Sequence, residues 1–360
     1  MNESQLSLWL RLAFSYGVGA ATMLKLLRHF GSAANIYAQN LNVLASVVGS
    51  GVAQSILSNK SQPLVEEALL WCQQNPSRRS IITLESDLYP SELAEIANPP
   101  LALFAEGNLA LLKKNKIALV GTRHPSLQGA ENARVFAREL AKNGLTVVSG
   151  LAAGIDRFAH EGALHEAAST IAVLGTGIDI VYPASNRSLY KQIAEHGLLL
   201  SEYQLGMNAL SNNFPRRNRI IVGLSQACLV IESANDGGSM ISANFALEMG
   251  REIMAIPGSI HNPMARGCHK LIKQGAKLVE VATDVLEELR LEKGAQQDSN
   301  LSPQITDPLL VAMGYDPISI DNLSVKLQLD FAQLCGKLLE FELSGVIMNC
   351  GNGYYQRIFK

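Results

Sequence analysis

The chain has 360 residues, of which 48% are hydrophobic and 17% charged, and this composition excludes a wholly disordered protein. At about 100–200 residues per domain, the length predicts two or three domains. The net charge of −2 hides a segregation, because residues 113–280 carry 18 basic and 13 acidic side chains whereas the rest of the chain is net acidic. A polyanionic partner is therefore expected to bind the middle of the chain.

The cysteines and the apolar runs set the expected compartment. There are five cysteines, an odd number, and they never occur as CxxC, which argues against a disulfide scaffold and a thiolate metal site. This usage favours a reducing cytoplasm. No stretch of about 18 apolar residues is free of charges, so no membrane span is expected, and the start MNESQLSLWL lacks the basic region of a secretory signal.

Residues 1–80 have the apolar spacing of short helices and are predicted to form a helical domain. Gly17-Val18-Gly19 and Gly49-Ser50-Gly51 each predict a tight turn between helices. Two such units resemble a paired helix-hairpin-helix, in which the glycine turn presents backbone N–H groups to a DNA phosphate. The alternative is a small helical packing module, which the balance of 6 basic and 8 acidic side chains over residues 1–112 favours.

Residues 81–288 are predicted to form the main domain. Within it, residues 81–112 are interpreted as an ordered connector, with Pro99-Pro100 ahead of an apolar run. Continuous apolar runs then alternate with helical stretches, as in strands buried on both faces of a parallel sheet. The predicted strands are residues 116–120, 145–149, 170–174, 198–202, 227–232 and 252–256. The fold class is therefore α/β, an extended Rossmann-like, doubly wound and mostly parallel sheet.

The last 72 residues, 289–360, are predicted to form a linker and a small domain. Residues 289–306 are polar and free of aromatic side chains, as in a linker. Residues 307–360 contain three helical stretches and two strand-like runs, an order typical of a winged helix. The segment FAQLCGKLLEFEL offers only Lys337 against Glu340 and Glu342, so a protein-contact or packing role is favoured over nucleic-acid recognition.

Glycine-rich loops follow the first three parallel strands. In an open α/β sheet, ligands bind at the carboxyl ends of the strands. The loops there contain Gly121, Thr122 and Arg123, then Ser149 and Gly150, then LGTGIDIVYPASN. Glycines let backbone N–H groups approach an oxyanion, so these loops predict a phosphate-binding rim. The motif GxGxxG is absent after the first strand and GxxxxGK[ST] is absent altogether, which disfavours a dinucleotide cofactor and ATP hydrolysis.

The segment FPRRNR holds the densest positive charge in the chain. Its residues are Phe214, Arg216, Arg217, Asn218 and Arg219. Arginines bind phosphates, and an exposed ring stacks on an unpaired base, so the pairing suits single-stranded nucleic acid. The alternative is a solvated basic turn beside a core phenylalanine.

Catalytic groups are scarce in this sequence. No metal-binding spacing of histidines occurs, and no nucleophile elbow or pair of carboxylates is found. Asp156 is interpreted as the N-cap of a helix, and His160 as a surface or packing residue. Glu232 is the best lone candidate for an acid or base. No catalytic residue, metal or cofactor is therefore assigned.

The motifs VGTRHPS, VSGLAAGIDRFAH, VLGTGIDIVYPASN, FPRRNRIIVGLS and VIESANDGGSMISANFALEMGR, in this order, strongly resemble the DNA-processing protein family DprA, also called Smf. The resemblance covers nearly all of residues 81–280. The flanking segments look like the helical N-terminal domain and the winged-helix-like C-terminal domain of the longer members of that family.

The resemblance implies a cytoplasmic, non-enzymatic protein of natural transformation. Such a protein binds single-stranded DNA independently of sequence, protects incoming DNA and loads the RecA recombinase. It implies a homodimer formed through the Rossmann-like domain, and a single-strand-binding protein as a further partner.

The same resemblance implies roles for individual residues. Arg123 lies in a basic pocket lined by the Gly121 loop, and Phe214 is the base-stacking ring ahead of Arg217, Asn218 and Arg219. Ser149 and Gly150 donate backbone contacts. A lysine near the YPxxN loop of some relatives has no lysine counterpart here; Arg187 is the candidate substitute, which leaves that contact open.

Two other functions compete with this one. Phosphoribohydrolases of related folds carry a PGGxGTxxE loop, but ESANDGGSMISA lacks its proline and its glutamate. A helix-hairpin-helix repair factor would instead bind duplex DNA through residues 14–56.

Overall fold

The computed structural model describes residues 2–291 and 307–358. Residues 292–306, which include most of the predicted linker, lie outside this description. No helix of the described residues is long and apolar enough to cross a membrane.

The amino-terminal part of the chain folds into short helices. They are α1 (Glu3–Ala13), α2 (Ala20–Phe30), α3 (Ala33–Tyr37), α4 (Leu41–Val48), α5 (Ser50–Leu57) and α6 (Gln62–Gln74). The turn between α1 and α2 contains Gly17 and Gly19, and Gly49 joins α4 to α5, whereas Ser50 and Gly51 of the predicted second turn belong to α5. Gly17 has φ +81° and Gly49 has φ +84°, values that disfavour any other residue.

These helices pack against one side of the main sheet. The indole N–H of Trp9 donates a hydrogen bond to the carbonyl of Leu101, at 2.9 Å. The ring of Trp71 meets the ring of Phe104 edge-on, with centroids 5.7 Å apart, and Phe14 stacks on the same ring. Because these aromatic contacts are buried, they fix the turn after α1 beside the sheet.

The main sheet has the strand order β1-β2-β6-β5-β4-β3-β7-β8-β9. The strands are β1 (Arg79–Thr83), β2 (Ala102–Gly107), β3 (Lys116–Val120), β4 (Thr146–Ser149), β5 (Thr170–Val173), β6 (Leu198–Ser201), β7 (Ala227–Val230), β8 (Glu252–Ala255) and β9 (Lys277–Leu278). From β6 to β9 all neighbours are parallel. The chain order reverses between β3 and β7, which is where an open α/β sheet forms a binding crevice.

Helices cover both faces of the sheet, and the α/β fold class is confirmed. They are α7 (Ser91–Ala94), α8 (Leu127–Lys142), α9 (Ile155–Ala163), α10 (Arg187–His196), α11 (Asn213–Gly223), α12 (Gly238–Glu248), α13 (Arg266–Lys273) and α14 (Ala282–Glu288). Buried clusters lie on each face, around Val148 and Val230 on one side and Leu119 and Val147 on the other. This burial on both faces explains the continuous apolar runs.

The interpretation of residues 81–112 as a connector is wrong. This segment and the two residues before it supply β1 and β2, of which β2 pairs antiparallel with β6 and β1 pairs antiparallel with β2. Pro99 and Pro100 precede β2 and lie outside its hydrogen-bonded ladder. Because proline lacks the N–H that a ladder needs, the pair marks the start of the strand.

The carboxyl-terminal residues form the predicted winged helix. Its elements are α15 (Pro308–Met313), β10 (Ile318–Ser319), α16 (Ile320–Leu327), α17 (Phe331–Leu343), β11 (Ile347–Gly351) and β12 (Tyr354–Arg357). The strands pair antiparallel in the order β10-β12-β11. Leu323, Leu334 and Leu338 are buried in a core of their own.

The crossing of α8 and α9 depends on a glycine. A Cβ on Gly162 would lie 2.3 Å from the carbonyl oxygen of Arg134, so the two helices could not keep their spacing. We expect Gly162→Ala to cost about 1–3 kcal/mol through overpacking, which lowers the melting transition of the sheet domain by several degrees in calorimetry.

Gly336→Ala is the matched control, because a Cβ at Gly336 in α17 meets no atom within 4 Å. It should leave melting unchanged or raise it slightly, since alanine favours helix. Equal melting of Gly162→Ala and the wild type would contradict the packing described for α8 and α9.

Candidate nucleic-acid interface

A cleft of about 300 Å³ opens at the carboxyl ends of β3, β4 and β7. We call it the rim cleft. Its lining includes the loop Val120–Arg123, then Ala152 and Asp156, then Phe214, Pro215, Arg217 and Asn218 of α11, and finally Gly237–Ser239 at the start of α12. Because the chain order of the sheet reverses here, three loops and the first turns of two helices meet in one place.

The loop after β3 is shaped by Gly121 and carries Arg123 into solvent. A Cβ at Gly121 would lie 2.5 Å from the Ile155 side chain and 2.9 Å from the carbonyl oxygen of Glu232, so the approach requires glycine. The N–H of Thr122 donates to that same carbonyl at 2.8 Å. Arg123 is exposed, and its guanidinium lies 5.6 Å from the centroid of the Phe214 ring. In this arrangement the planar cation can bind a phosphate while the ring stacks on the neighbouring base.

Two aromatic rings form one wall of this region. The centroids of Tyr182 and Phe214 are 5.2 Å apart, and Tyr182 is 45% exposed. A Cβ at Gly175 would lie 2.7 Å from the Phe214 ring, so glycine there makes room for it. Tyr182 was not among the predicted residues; the available signal was an aromatic residue in the glycine loop after the third parallel strand.

Arg217 is buried and binds the ends of two strands. Its Nη1 donates to the carbonyl oxygens of Gly150 and Val173, and it is 3% exposed. A Cβ at Gly150 would lie 2.0 Å from this nitrogen, so glycine there makes room for the guanidinium. Arg217 therefore bridges the loops after β4 and β5 and contributes positive charge to the floor of the rim cleft.

Asp156 neutralises that charge and is not an N-cap as predicted. Gly154 is the N-cap of α9, and the Asp156 carboxylate instead accepts hydrogen bonds from the N–H groups of Gly150 and Ala152, at 3.1 and 3.4 Å. Burial raises the pKa of Asp156, and the nearby Arg217 guanidinium opposes that shift. The N–H of Gly150 is thereby already engaged within the protein.

His160 and Asn186 hold the loop after β4 from the other side. The Leu151 N–H donates to His160 Nε2 at 3.2 Å, and Nδ1 lies 2.7 Å from the Thr170 hydroxyl. The Asn186 amide donates to the carbonyl of Leu151, at 2.9 Å. Leu151 has φ +55°, an unfavourable value for leucine that these bonds maintain.

Arg216 and Arg219 face away from the rim cleft. Arg219 is buried and pairs with Glu202, while the Arg216 side chain is 61% exposed with its Nε 4.0 Å from the same carboxylate. On a helix, residues 214, 217 and 218 share one side and residues 216 and 219 another. The dense charge of FPRRNR is therefore divided between two surfaces.

The structure brings together some of the predicted binding residues and separates others. Gly121, Thr122, Arg123, Phe214, Arg217 and Asn218 line the rim cleft. Ser149 is buried and donates its hydroxyl to the carbonyl of Leu119 at 2.7 Å. Arg187 is exposed at the start of α10 and is not part of the rim-cleft lining.

Glu232 serves the loop after β3. Its carboxylate accepts hydrogen bonds from the Ser126 N–H at 2.8 Å and from the Asn262 amide at 2.9 Å, and the residue is 5% exposed. With both oxygens hydrogen-bonded within the protein, Glu232 links the Ser126 end of the loop after β3 to the segment that contains Asn262. Within residues 2–291 and 307–358, no group of three or more acidic, histidine or cysteine residues could hold a metal ion.

Comparison with known proteins relates the chain to one family. Residues 80–290 match the family model of DNA recombination-mediator protein A, and residues 294–353 match the DprA winged helix domain. Protein Smf of Escherichia coli is 39% identical over 301 residues, covering 81% of this chain and 80% of its own length.

Two solved structures are similar as well. The DNA processing protein A of Streptococcus pneumoniae has a TM-score of 0.69 at 36% identity, covering 82% of this chain and 99% of that one. The protein from Helicobacter pylori, studied for its single-stranded DNA binding mode, has a TM-score of 0.54 at 30% identity, covering 60% and 98%.

The burial of His160 predicts a pH dependence of stability. Desolvation lowers the pKa of His160 from 6.5 to about 3, so the folded protein keeps it neutral where an unfolded chain binds a proton. The unfolded state thus binds more protons between these values, and stability should fall as the pH drops below about 6.5. The slope is at most about 1.4 kcal/mol per pH unit.

His160→Gln should flatten that part of the profile, because glutamine offers an acceptor without a titrating ring. The measurement is urea unfolding from neutral to mildly acid pH for both proteins. If stability falls with pH in the same way in the variant and in the wild type, His160 is not the cause of the pH dependence.

Proposed function

The chain belongs to the DNA recombination-mediator protein A family, and from this membership and the geometry of the rim cleft we propose that it binds single-stranded DNA independently of sequence. The observation that carries the proposal is the placement of Arg123 over the ring of Phe214, at the mouth of a cleft whose floor holds Arg217. The proposed contacts are phosphate to Arg123 and an unpaired base to Phe214.

Preference for single strands follows from the aromatic wall. Phe214 and Tyr182 offer ring faces, which stack only on bases that are not paired. Sequence independence follows because every base has such a face, while the rim cleft presents no helix to a major groove. Arg217 contributes by fixing the loops, since its Nη1 is bonded to backbone carbonyls and its charge is opposed by Asp156.

The wider role that we propose is the one implied by the family. The protein protects incoming single strands during natural transformation and transfers them to the RecA recombinase, with a single-strand-binding protein as a further partner. We place it in the cytoplasm, in keeping with free thiols at all five cysteines. We propose no enzymatic activity, and the engagement of both Glu232 oxygens by Ser126 and Asn262 supports this.

The binding proposal is tested by fluorescence anisotropy with labelled oligo-dT and with a matching duplex across a salt series. We expect the single strand to bind more tightly, with an affinity that falls steeply as salt rises. Phe214→Ala should weaken it about tenfold through lost stacking. Arg123→Ala should weaken it and also reduce the salt slope by about one.

Arg138→Ala is the matched control, because Arg138 lies on α8, its side chain is 45% exposed, and its Nε lies 3.8 Å from the Glu139 carboxylate. If Arg138→Ala loses as much affinity as Arg123→Ala does, the effect of Arg123→Ala comes from net charge and not from the position of Arg123. Unchanged binding in both rim variants would reject the rim cleft as the DNA site, and hydrolysis of nucleoside monophosphates by the wild type would favour the phosphoribohydrolase alternative.

We also propose a homodimer formed through the sheet domain. Leu247 on α12 and Ile260 after β8 are 72% and 74% exposed, the highest values among large hydrophobic residues described between Arg79 and Leu291. Burying these side chains against a second copy would remove apolar surface from water. α12 is therefore the element on which we place the contact.

Leu247→Glu should shift the protein from dimer to monomer, because a carboxylate in an apolar interface loses its hydration without a partner. Light scattering coupled to size exclusion measures the mass. The control is Leu339→Glu on α17, where the leucine is 58% exposed in the winged helix. A dimer that survives Leu247→Glu, or a wild-type monomer, would reject this interface.

A further inference from the structure

A second cleft lies on the opposite side of α11 from the rim cleft. Its volume is about 230 Å³, and it separates the turn after α1 from the sheet domain. Gly19 and Phe14 contribute from the helical domain, and Glu202, Arg216 and Arg219 from the sheet domain. We call it the domain cleft. Its two arginines are those of FPRRNR that do not line the rim cleft.

The N terminus of α2 opens at the domain cleft. Gly19 is the N-cap of this helix of 11 residues, in extended backbone conformation, and no side chain caps it. Gly19 is exposed, and a Cβ there would meet no atom within 4 Å. An uncapped helix start combines N–H donors with the positive end of the helix dipole, which together attract an anion.

The Arg219 guanidinium independently indicates a missing acceptor. Arg219 is 6% exposed and lines the same cleft; its Nη2 pairs with Glu202, whereas the buried Nε and Nη1 have no acceptor among the described residues. Buried donors are nearly always satisfied, by water or ligand where protein offers nothing. Arg216 adds a second cation with 61% of its side chain exposed, so the cleft keeps one positive charge after Glu202 is counted.

We propose that the domain cleft is a second phosphodiester subsite, where the N terminus of α2 and Arg216 bind the phosphate backbone of the same single strand that occupies the rim cleft. This rests on the proposed function and extends it to the helical domain. The two clefts share α11, so a strand leaving Phe214 reaches Arg216 by crossing the first turn of that helix. In the turn before α2, Tyr16 is 88% exposed and offers a further ring to an unpaired base.

The helical domain contributes to this subsite through its backbone. Backbone N–H groups and a helix dipole carry no formal charge, so they do not appear in a count of lysines and arginines. The formal cations of the subsite come from α11.

The test is Gly19→Asp in the full chain, measured with a short oligo-dT of about 5 nucleotides and a long one of about 20. The new carboxylate caps α2 and occupies its N–H donors, so the fold is not weakened while the anion site is filled. We expect about a fivefold loss of affinity for the long oligonucleotide and no change for the short one, which fills only the rim cleft.

A control in the same domain separates charge from position. Ser32→Asp places the same charge at the N-cap of α3 and should leave binding of the long oligonucleotide unchanged. A loss in this control equal to that of Gly19→Asp would overturn the proposal.

The outcomes distinguish this inference from the function on which it rests. If Gly19→Asp binds the long oligonucleotide as tightly as the wild type does, the domain-cleft subsite is rejected. If Arg123→Ala still weakens binding of the short oligonucleotide in that case, the rim cleft remains the DNA site. Absence of binding of either oligonucleotide by the wild type would reject both.

Discussion

The buried guanidinium of Arg217 is the interaction on which the arrangement of the candidate site depends. It donates to carbonyl oxygens at the ends of β4 and β5, and Asp156 opposes its charge while accepting two N–H bonds from the loop after β4. A buried charge is expensive unless paired and hydrogen-bonded, and removal of one partner typically costs 3–5 kcal/mol. The pair therefore fixes the loop after β4 and places α11 against the strand ends.

The outer surface of the site follows from this fixed interior. Once Arg217 anchors α11, the helical period sends Phe214 and Asn218 toward the rim cleft and Arg216 toward the domain cleft. Glu232 holds the loop after β3 through the Ser126 N–H, and the Arg123 guanidinium then lies over Phe214. Few charges are left for the ligand, but they are held on rigid elements, which suits the binding of a repetitive phosphate chain.

Much of the fold was predictable because its physical causes are local. Strands such as β3 and β7 are buried on both faces, so an uninterrupted apolar run marks each of them, and the glycines at their ends are required by close backbone approach. The edge strand β1 and its neighbour β2 were interpreted as a connector, although an apolar run follows Pro99 and Pro100. Their antiparallel pairing depends on tertiary contacts with β6.

The site was predictable in place but not in the role of each residue. The sequence shows that Arg216, Arg217 and Arg219 are adjacent and positive, but it does not show which of them finds a carbonyl or a carboxylate inside the protein. The same applies to Asp156, whose partners lie before it in the chain on a loop shaped by Gly150. Tyr182 was not predicted because its contact with Phe214 joins a loop to the first turn of α11, which is distant in sequence.

Photo-crosslinking tests the central claim, that an unpaired base stacks on the wall of the rim cleft, most directly. Single strands carrying 5-iodouracil would be irradiated with the full-length protein, and the crosslinked residues identified by mass spectrometry. The account predicts crosslinks at Phe214 and Tyr182 that duplex DNA suppresses. Crosslinks confined to α16 and α17 of the winged helix would contradict it.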